Sequence, residues 1–219
     1  NLLGEGLHPR RILVTGSPMR EVLDLYRSEI DASTVLSQIG VEPFEYFLVS
    51  AHREENVDNQ ARLGLMVESL NAVAARWGYP ILVSTHPRTR KRLKESSRLQ
   101  IDQLVRFHEP FGFLDYNRLQ LSSTCVLSDS GTIAEESTML GFPAVTLRGA
   151  IERPEALDTG AITMVDVDPA TVVSGVEFAI ARGRTPEAPD DYRVENTSER
   201  VVNFIISTVP SHKQWSGLR

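Results

Sequence analysis

Residues 127–141 read LSDSGTIAEESTMLG and continue as FPAVTLRGAIERPEAL to Leu157. The apolar run Thr124-Cys125-Val126-Leu127 predicts a buried strand, Ser128-Asp129-Ser130-Gly131 a turn, and Ile133, Ser137 and Leu140 one face of a helix. A strand that feeds a helix through a small polar turn makes an anion site. The backbone N–H groups of Ser130, Gly131 and Thr132 are expected to face a bound phosphate, with the helix dipole adding to them. Glu135 and Glu136 follow on the same helix, and one of them can point back toward the strand ends, where a carboxylate suits sugar hydroxyls. Arg148 and Arg153 come after the next strand and would bring positive charge to the same crevice. The stretch therefore predicts a nucleoside-diphosphate site.

Working outward, strands and helices alternate. RRILVTGSPMREVLDLY (10–26) predicts a buried strand at Ile12-Leu13-Val14, a turn at Gly16-Ser17-Pro18 and a helix. The segment lacks G-x-G-x-x-G, which argues against a dinucleotide fingerprint and an NAD-dependent oxidoreductase. A second strand ends at Ser50-Ala51-His52, before a long amphipathic helix from about Asn59 to Trp77. Further strands are expected at Ile81–Val83, Val105–Phe107, Ala144–Leu147 and Ile162–Val165. Helices are expected around Leu114–Leu121, over ERPEAL, from Pro169 to Ala181 and from Ser198 to Ser207. This pattern predicts an α/β, Rossmann-like, doubly wound parallel sheet of six or seven strands. The acidic, proline-rich 183–191 reads as a linker. We therefore divide the chain into a binding domain over 1–190 and a terminal helix and tail over 191–219.

Composition narrows the function classes. With 219 residues, 41% hydrophobic and 24% charged, the chain has material for an ordinary core. A net charge of -6 and a pI of about 5.4 argue against nucleic acid or an anionic membrane as partner. No stretch has the length and apolarity of a membrane span, and residues 1–11 lack a signal-peptide pattern. The single Cys125 cannot form an internal disulfide, and cytoplasmic localisation is expected. A first residue other than Met reads as the start of a fragment. The histidines are scattered, so no metal site is expected, and no cofactor.

His52 follows a predicted strand and so shares the active edge with Ser130 and Gly131; His86 occupies the equivalent place one strand later, where a turn role before Pro87 competes. The basic run from Arg88 to Arg92 reads as a solvated face. Phe111, Phe113 and Tyr116 lie beside the crevice, either to stack a base or, for two of the three, as packing.

Four motifs together, SAHREEN (50–56), STHPR (84–88), SDSGTIAEES (128–137) and RGAIERPEA (148–156), resemble in order and spacing the C-terminal half of the non-hydrolysing UDP-N-acetylglucosamine 2-epimerases. TGSPMREVL (15–23) and SGTIAEESTMLGFPAVTLR are similar to the branch that makes UDP-N-acetyl-L-fucosamine. The resemblance implies the C-terminal domain of a glycosyltransferase-B type two-domain fold, holding UDP. It implies Ser130, Gly131 and Thr132 as the pyrophosphate turn, Glu136 as the ribose carboxylate, Arg153 as a phosphate ligand and His52 as the catalytic histidine. Tyr116 lines the uracil pocket on this reading, with the Phe111 backbone at the uracil edge, and Arg53 and His86 belong to a regulatory UDP-sugar site. Where some bacterial members have two glycines after the serine, this chain has Gly131-Thr132.

The resemblance also implies the chemistry. The C2 hydrogen of a UDP-sugar is barely acidic, so these epimerases are implied to eliminate UDP to a 2-acetamidoglycal and to add it back with protonation on the opposite face of C2. The carboxylates that move the C2 proton belong to an N-terminal domain, the implied partner of this half, and the full enzyme is implied to be a homodimer that makes surface-polysaccharide precursors. The half alone is expected to be inactive. A sugar transferase of the same architecture and a non-catalytic UDP-sugar binding module remain alternatives; the AHREEN motif favours the epimerase.

Overall fold

In the computed structural model, the described residues are 2–51, 53, 56, 59–85, 99–149, 157, 160–184 and 188–215. Six strands form one parallel sheet: β1 (Phe47–Ser50), β2 (Ile81–Ser84), β3 (Val105–His108), β4 (Cys125–Ser128), β5 (Ala144–Leu147) and β6 (Thr163–Val165), in the order β3-β2-β1-β4-β5-β6. Helices α1 (Met19–Leu25), α2 (Arg27–Ala32), α3 (Val35–Ile39), α4 (Gln60–Trp77), α5 (Phe113–Ser122), α6 (Ile133–Leu140), α7 (Pro169–Arg182) and α8 (Thr197–Thr208) are the longer helical segments among these residues.

The strands read as continuous apolar runs because both of their faces are covered. Phe47, Val49, Ile81, Val83, Cys125, Leu127, Val145 and Leu147 pack under α4 and α7, against Met66, Leu70, Val73, Val172 and Val176. The alternate residues, Leu48, Leu82, Val126 and Ala144, face Leu119 of α5 and Ile133 of α6. Cys125 lies wholly within the first layer. Caps end the helices where the sequence places small polar residues or glycine: Asn59 Oδ1 accepts from the N–H groups of Ala61 and Arg62 at 3.0 and 3.2 Å, and Asp168 Oδ2 from Thr171 N–H at 3.0 Å.

The strand expected at Ile12-Leu13-Val14 does not form. Leu13 is 38% and Val14 65% exposed, and the segment joins no sheet. It is held instead against the residues before α8: Ser17 N–H donates to Asp191 O, and a Cβ on Gly16, whose φ is +82°, would meet Val194 Cβ at 2.5 Å. Three apolar residues in a row suit a buried strand and an exposed apolar segment equally, and only pairing separates the two. The sheet has the lower of the two expected strand counts among the described residues. The end of the expected linker is also anchored, with Tyr192 buried among Val35, Tyr46 and Phe142. Beyond it, the Thr197 hydroxyl donates to Thr15 O at 3.1 Å, and Ser198 N–H to Glu21 at 3.0 Å. The outward face of α8 presents Val202, Ile205 and Ile206, all more than half exposed.

Candidate nucleotide site

The strand order reverses between β1 and β4. β2 and β3 extend from one side of β1, and β5 and β6 lie beyond β4. The connections after β1 and β4 leave the sheet in opposite directions, which opens a crevice at the carboxyl ends of these two strands. Their last residues, Ser50 and Ser128, are partners in register, with Ser84 on the other side of Ser50 and Thr146 beyond Ser128. A row of hydroxyls thus lines the sheet edge. The turn 129–132 leaves it at the reversal.

Asp129 anchors that turn. It is fully buried, its N–H donates to Ser50 O at 3.1 Å, and its Oδ2 accepts from Arg53 N–H at 3.0 Å and Asn56 Nδ2 at 3.1 Å. Asn56, itself 1% exposed, also donates to Leu147 O at 3.3 Å and accepts from Arg62 Nε at 3.2 Å, and Arg62 reaches Asp166 at 2.7 Å. One amide therefore ties together the turn after β4, the end of β5 and, through Arg62, α4 and the end of β6. Sequence reasoning assigned no role to Asn56, Asp129, Arg62 or Asp166. Asn56 and Asp129 stood inside quoted motifs, whereas for Arg62 and Asp166 only spatial proximity carries the signal.

The turn's N–H groups differ from expectation. Ser130 N–H donates to Ser128 Oγ at 3.1 Å and Thr132 N–H to Ser130 Oγ at 3.3 Å, so two of the three are engaged by short hydroxyl side chains. Serine reaches the N–H two residues on without strain, which is why such turns satisfy themselves. A phosphate would exchange these neutral contacts for charge-assisted ones.

The two adjacent acids of α6 face different ways. Glu136 is half-buried and accepts from Gln120 Nε2 of α5 at 2.5 Å. Burial is the main influence on its carboxyl and raises its pKa above the ordinary glutamate value; Gln120 and Thr132 oppose this, and neighbouring Glu135 adds to it. Glu135, 8% exposed, lines a pocket of about 330 Å³ with Leu13–Ser17, Asp191 and Tyr192. Tyr116 of α5 lies on the Glu136 side. Burial first, then the Glu136 and Asp129 carboxylates, push the pKa of its phenol well up against the opposing influence of Ser50, so it is a neutral hydroxyl at every physiological pH. Phe111 is half-buried, its ring tilted against His108 with 5.3 Å between centroids, and Phe113 stands 43% exposed against Tyr26. Arg148 follows β5 directly and is 4% exposed.

Ser130, Gly131, Thr132, Glu136 and Tyr116 thus lie around one strand reversal, with Arg53 joined to it through its backbone. His52, His86 and Arg153, the basic run 88–92 and most of the expected ERPEAL helix lie outside the described residues. Among the described residues no group of acids, histidines and cysteines is placed to hold a metal ion, and no helix is long and apolar enough to cross a membrane.

Comparison with known proteins gives the same architecture with a chemistry attached. A family model described as UDP-N-acetylglucosamine 2-epimerase matches residues 1–206. The UDP-N-acetylglucosamine 2-epimerase of Methanocaldococcus jannaschii is 31% identical over 212 residues, covering 94% of this chain and 57% of the relative. Its crystal structure in complex with UDP-GlcNAc and UDP superposes with a TM-score of 0.85 at 30% identity, over 94% of this chain and 57% of that one. The UDP-N-acetylglucosamine 2-epimerase from Rickettsia bellii superposes with a TM-score of 0.84 at 32% identity, over 97% of this chain and 58% of that one. The chain spans a little over half the length of these relatives and corresponds to the C-terminal half of their glycosyltransferase-B type fold. With its site at the strand reversal and the family model matched over most of its length, the chain belongs to the UDP-N-acetylglucosamine 2-epimerase family.

Proposed function

We propose that this chain is the UDP-binding half of a non-hydrolysing UDP-N-acetylhexosamine 2-epimerase, a cytoplasmic enzyme that supplies precursors of surface polysaccharide. One observation carries the reading: the Ser130-Gly131-Thr132 turn, Glu136 and Tyr116 gather at the carboxyl-end crevice where the strand order reverses. The N-terminus of α6 and the turn N–H groups receive the diphosphate. Glu136 accepts the ribose hydroxyls, and Tyr116 with the backbone at Phe111 borders the uracil. Arg148 and Arg153 add positive charge, and His52 neutralises the departing diphosphate or moves a proton.

Such a site serves elimination and return. A base removes the C2 proton while the C1–O bond to UDP breaks with its electron pair, leaving a C1=C2 bond and a UDP trianion, one charge more than the bound sugar nucleotide carried, that the turn must hold. UDP oxygen then re-forms the bond to C1, and C2 takes a proton on the opposite face. The groups that move the C2 proton are assigned to a preceding N-terminal domain, on which the apolar outward face of α8 docks, and the whole enzyme is a homodimer. Arg53 and His86 are assigned to a regulatory UDP-sugar site. The test is calorimetric titration of the chain with UDP, with UMP and NAD as controls, beside a Glu136→Ala variant. UDP-selective binding that Glu136→Ala weakens about tenfold, as loss of charge-assisted hydrogen bonds requires, supports the reading; binding indifferent to Glu136 refutes it.

A further inference from the structure

Gln120 is fully buried on α5, and the two ends of its amide differ. Nε2 donates to Glu136 Oε2 at 2.5 Å, while Oε1, equally shut away from water, has no hydrogen-bond partner among the described residues. An amide that served packing alone is expected to satisfy both ends, because a buried polar atom left unpaired is less favourable than an apolar group of the same shape. The carboxylate fixes the orientation. Turning the amide over would set Oε1 against Glu136 Oε2, acceptor against acceptor, so only one arrangement suits a carboxylate partner. Gln120 also stands one turn beyond Tyr116 on α5, which puts the two side chains on one face of that helix.

We propose that Gln120 is a positioning residue for nucleotide selection: it holds one oxygen of the Glu136 carboxylate on the α5 side, so that the other is presented to a sugar diol and the site selects ribose. The proposal rests on the nucleotide reading given above, in which Glu136 accepts the ribose hydroxyls. A glutamate carboxyl turns broadly about its last bond unless a partner holds it. Two hydroxyls on adjacent carbons are bound best by a carboxylate whose rotation is already set, since ordering it on binding lowers affinity. Glu136 is half-buried and keeps an open side, whereas Gln120 is closed off and can hold the carboxylate only from within. Its donation also favours the charged carboxylate against the burial that opposes it. The unpaired Oε1 is stability given up for that orientation, and functional sites are where such local rules are broken. With Tyr116 at the base and Gln120 behind the sugar's acceptor, α5 serves both parts of a nucleoside from one face.

The experiment compares UDP with 2′,3′-dideoxy-UDP by calorimetry on the wild-type chain, on Gln120→Met and on the exchange Gln120→Glu with Glu136→Gln, with thermal unfolding of each. The ratio of the two affinities measures what the ribose hydroxyls contribute. It is expected to be about tenfold in the wild type and to fall to about twofold in Gln120→Met, which keeps the volume and removes the donor; Tm is expected to stay at or above the wild-type value, because the unpaired acceptor is removed as well. The exchange keeps the pair bonded but carries the carboxylate to α5, so it is expected to remain folded and to show a ratio of about twofold too. A residue that only filled space would change Tm and leave the ratio unmoved. An unchanged ratio in Gln120→Met, beside a wild type that binds UDP and distinguishes the two ligands, overturns the proposal alone, as does a wild-type ratio in the exchange. A wild-type chain that binds no UDP, or does not distinguish the two ligands, overturns the nucleotide reading and the proposal with it.

Discussion

Replacing Asn56 with alanine tests whether the turn after β4 is held by one buried amide. Asn56 makes three hydrogen bonds, to Asp129, to Leu147 O and from Arg62, and two of the partners are charged. A hydrogen bond to a charged group contributes about 1.5–3 kcal/mol and a neutral one about 1 kcal/mol. The losses are unequal. Arg62 is nearly one-third exposed and keeps its ion pair with Asp166, so water replaces Asn56 there. Asp129 is fully buried, and its carboxylate would lose a donor where replacement is poor. Adding the vacated side-chain volume, we expect a loss of about 3 kcal/mol, a large part of the stability of an ordinary domain. For a domain of this size that lowers Tm by about 6–12 °C. Urea denaturation of wild type, Asn56→Ala and Arg62→Ala measures it, with the Arg62 variant expected to stay within about 1 kcal/mol of wild type. A loss below about 1 kcal/mol for Asn56→Ala would show that the turn is held by its backbone and not by the amide, and would refute the reasoning.

Two further outcomes follow from single residues. Burial raises the Glu136 pKa in the folded chain above its unfolded value, so the folded state holds the proton more tightly and this group's contribution to stability is present at acid pH and lost as pH rises from the ordinary glutamate range through the folded pKa. Glu136→Gln, which cannot ionise, is expected to flatten that part of the stability profile and raise Tm at neutral pH while weakening UDP binding; denaturation midpoints across pH 4 to about 8 check it, and an unchanged slope would count against a buried carboxylate. Gly141 closes α6 at φ +73°, where an added Cβ would meet Arg184 O at 2.7 Å, so Gly141→Ala is expected to cost about 1–3 kcal/mol by denaturant titration, despite alanine's lower entropy in the unfolded chain.

Much of the architecture was legible in the sequence for a definite reason. Strands buried on both faces must be apolar at every position, so Phe47–Val49, Ile81–Val83 and Cys125–Leu127 stand out as short runs between polar turns. Their alternation with helices implies parallel pairing, and small polar residues after β4 mark a turn that can meet an anion. The same logic misread Ile12–Val14, because a run of three apolar residues records that water is avoided and not what covers them. Glu135 and Glu136 show the same limit. Adjacent on one helix, they differ by about 100° in direction, and only the positions of Gln120 and of the pocket beside Ser17 decide which acid faces α5.

By itself, then, the sequence determined the parallel α/β class, the strand–turn–helix at Cys125–Leu140 and, through four motifs in order, the family. The tertiary structure alone decided the strand order, which puts Ser50 beside Ser128 and sets the reversal at that turn. It alone placed Asn56 against Asp129 across 73 residues of chain and Gln120 of α5 against Glu136 of α6. The physical reason is range. Burial periodicity and turn chemistry act between near neighbours and are written in local patterns, whereas a hydrogen bond between a buried amide and a carboxylate exists only once the sheet has brought distant strand ends together.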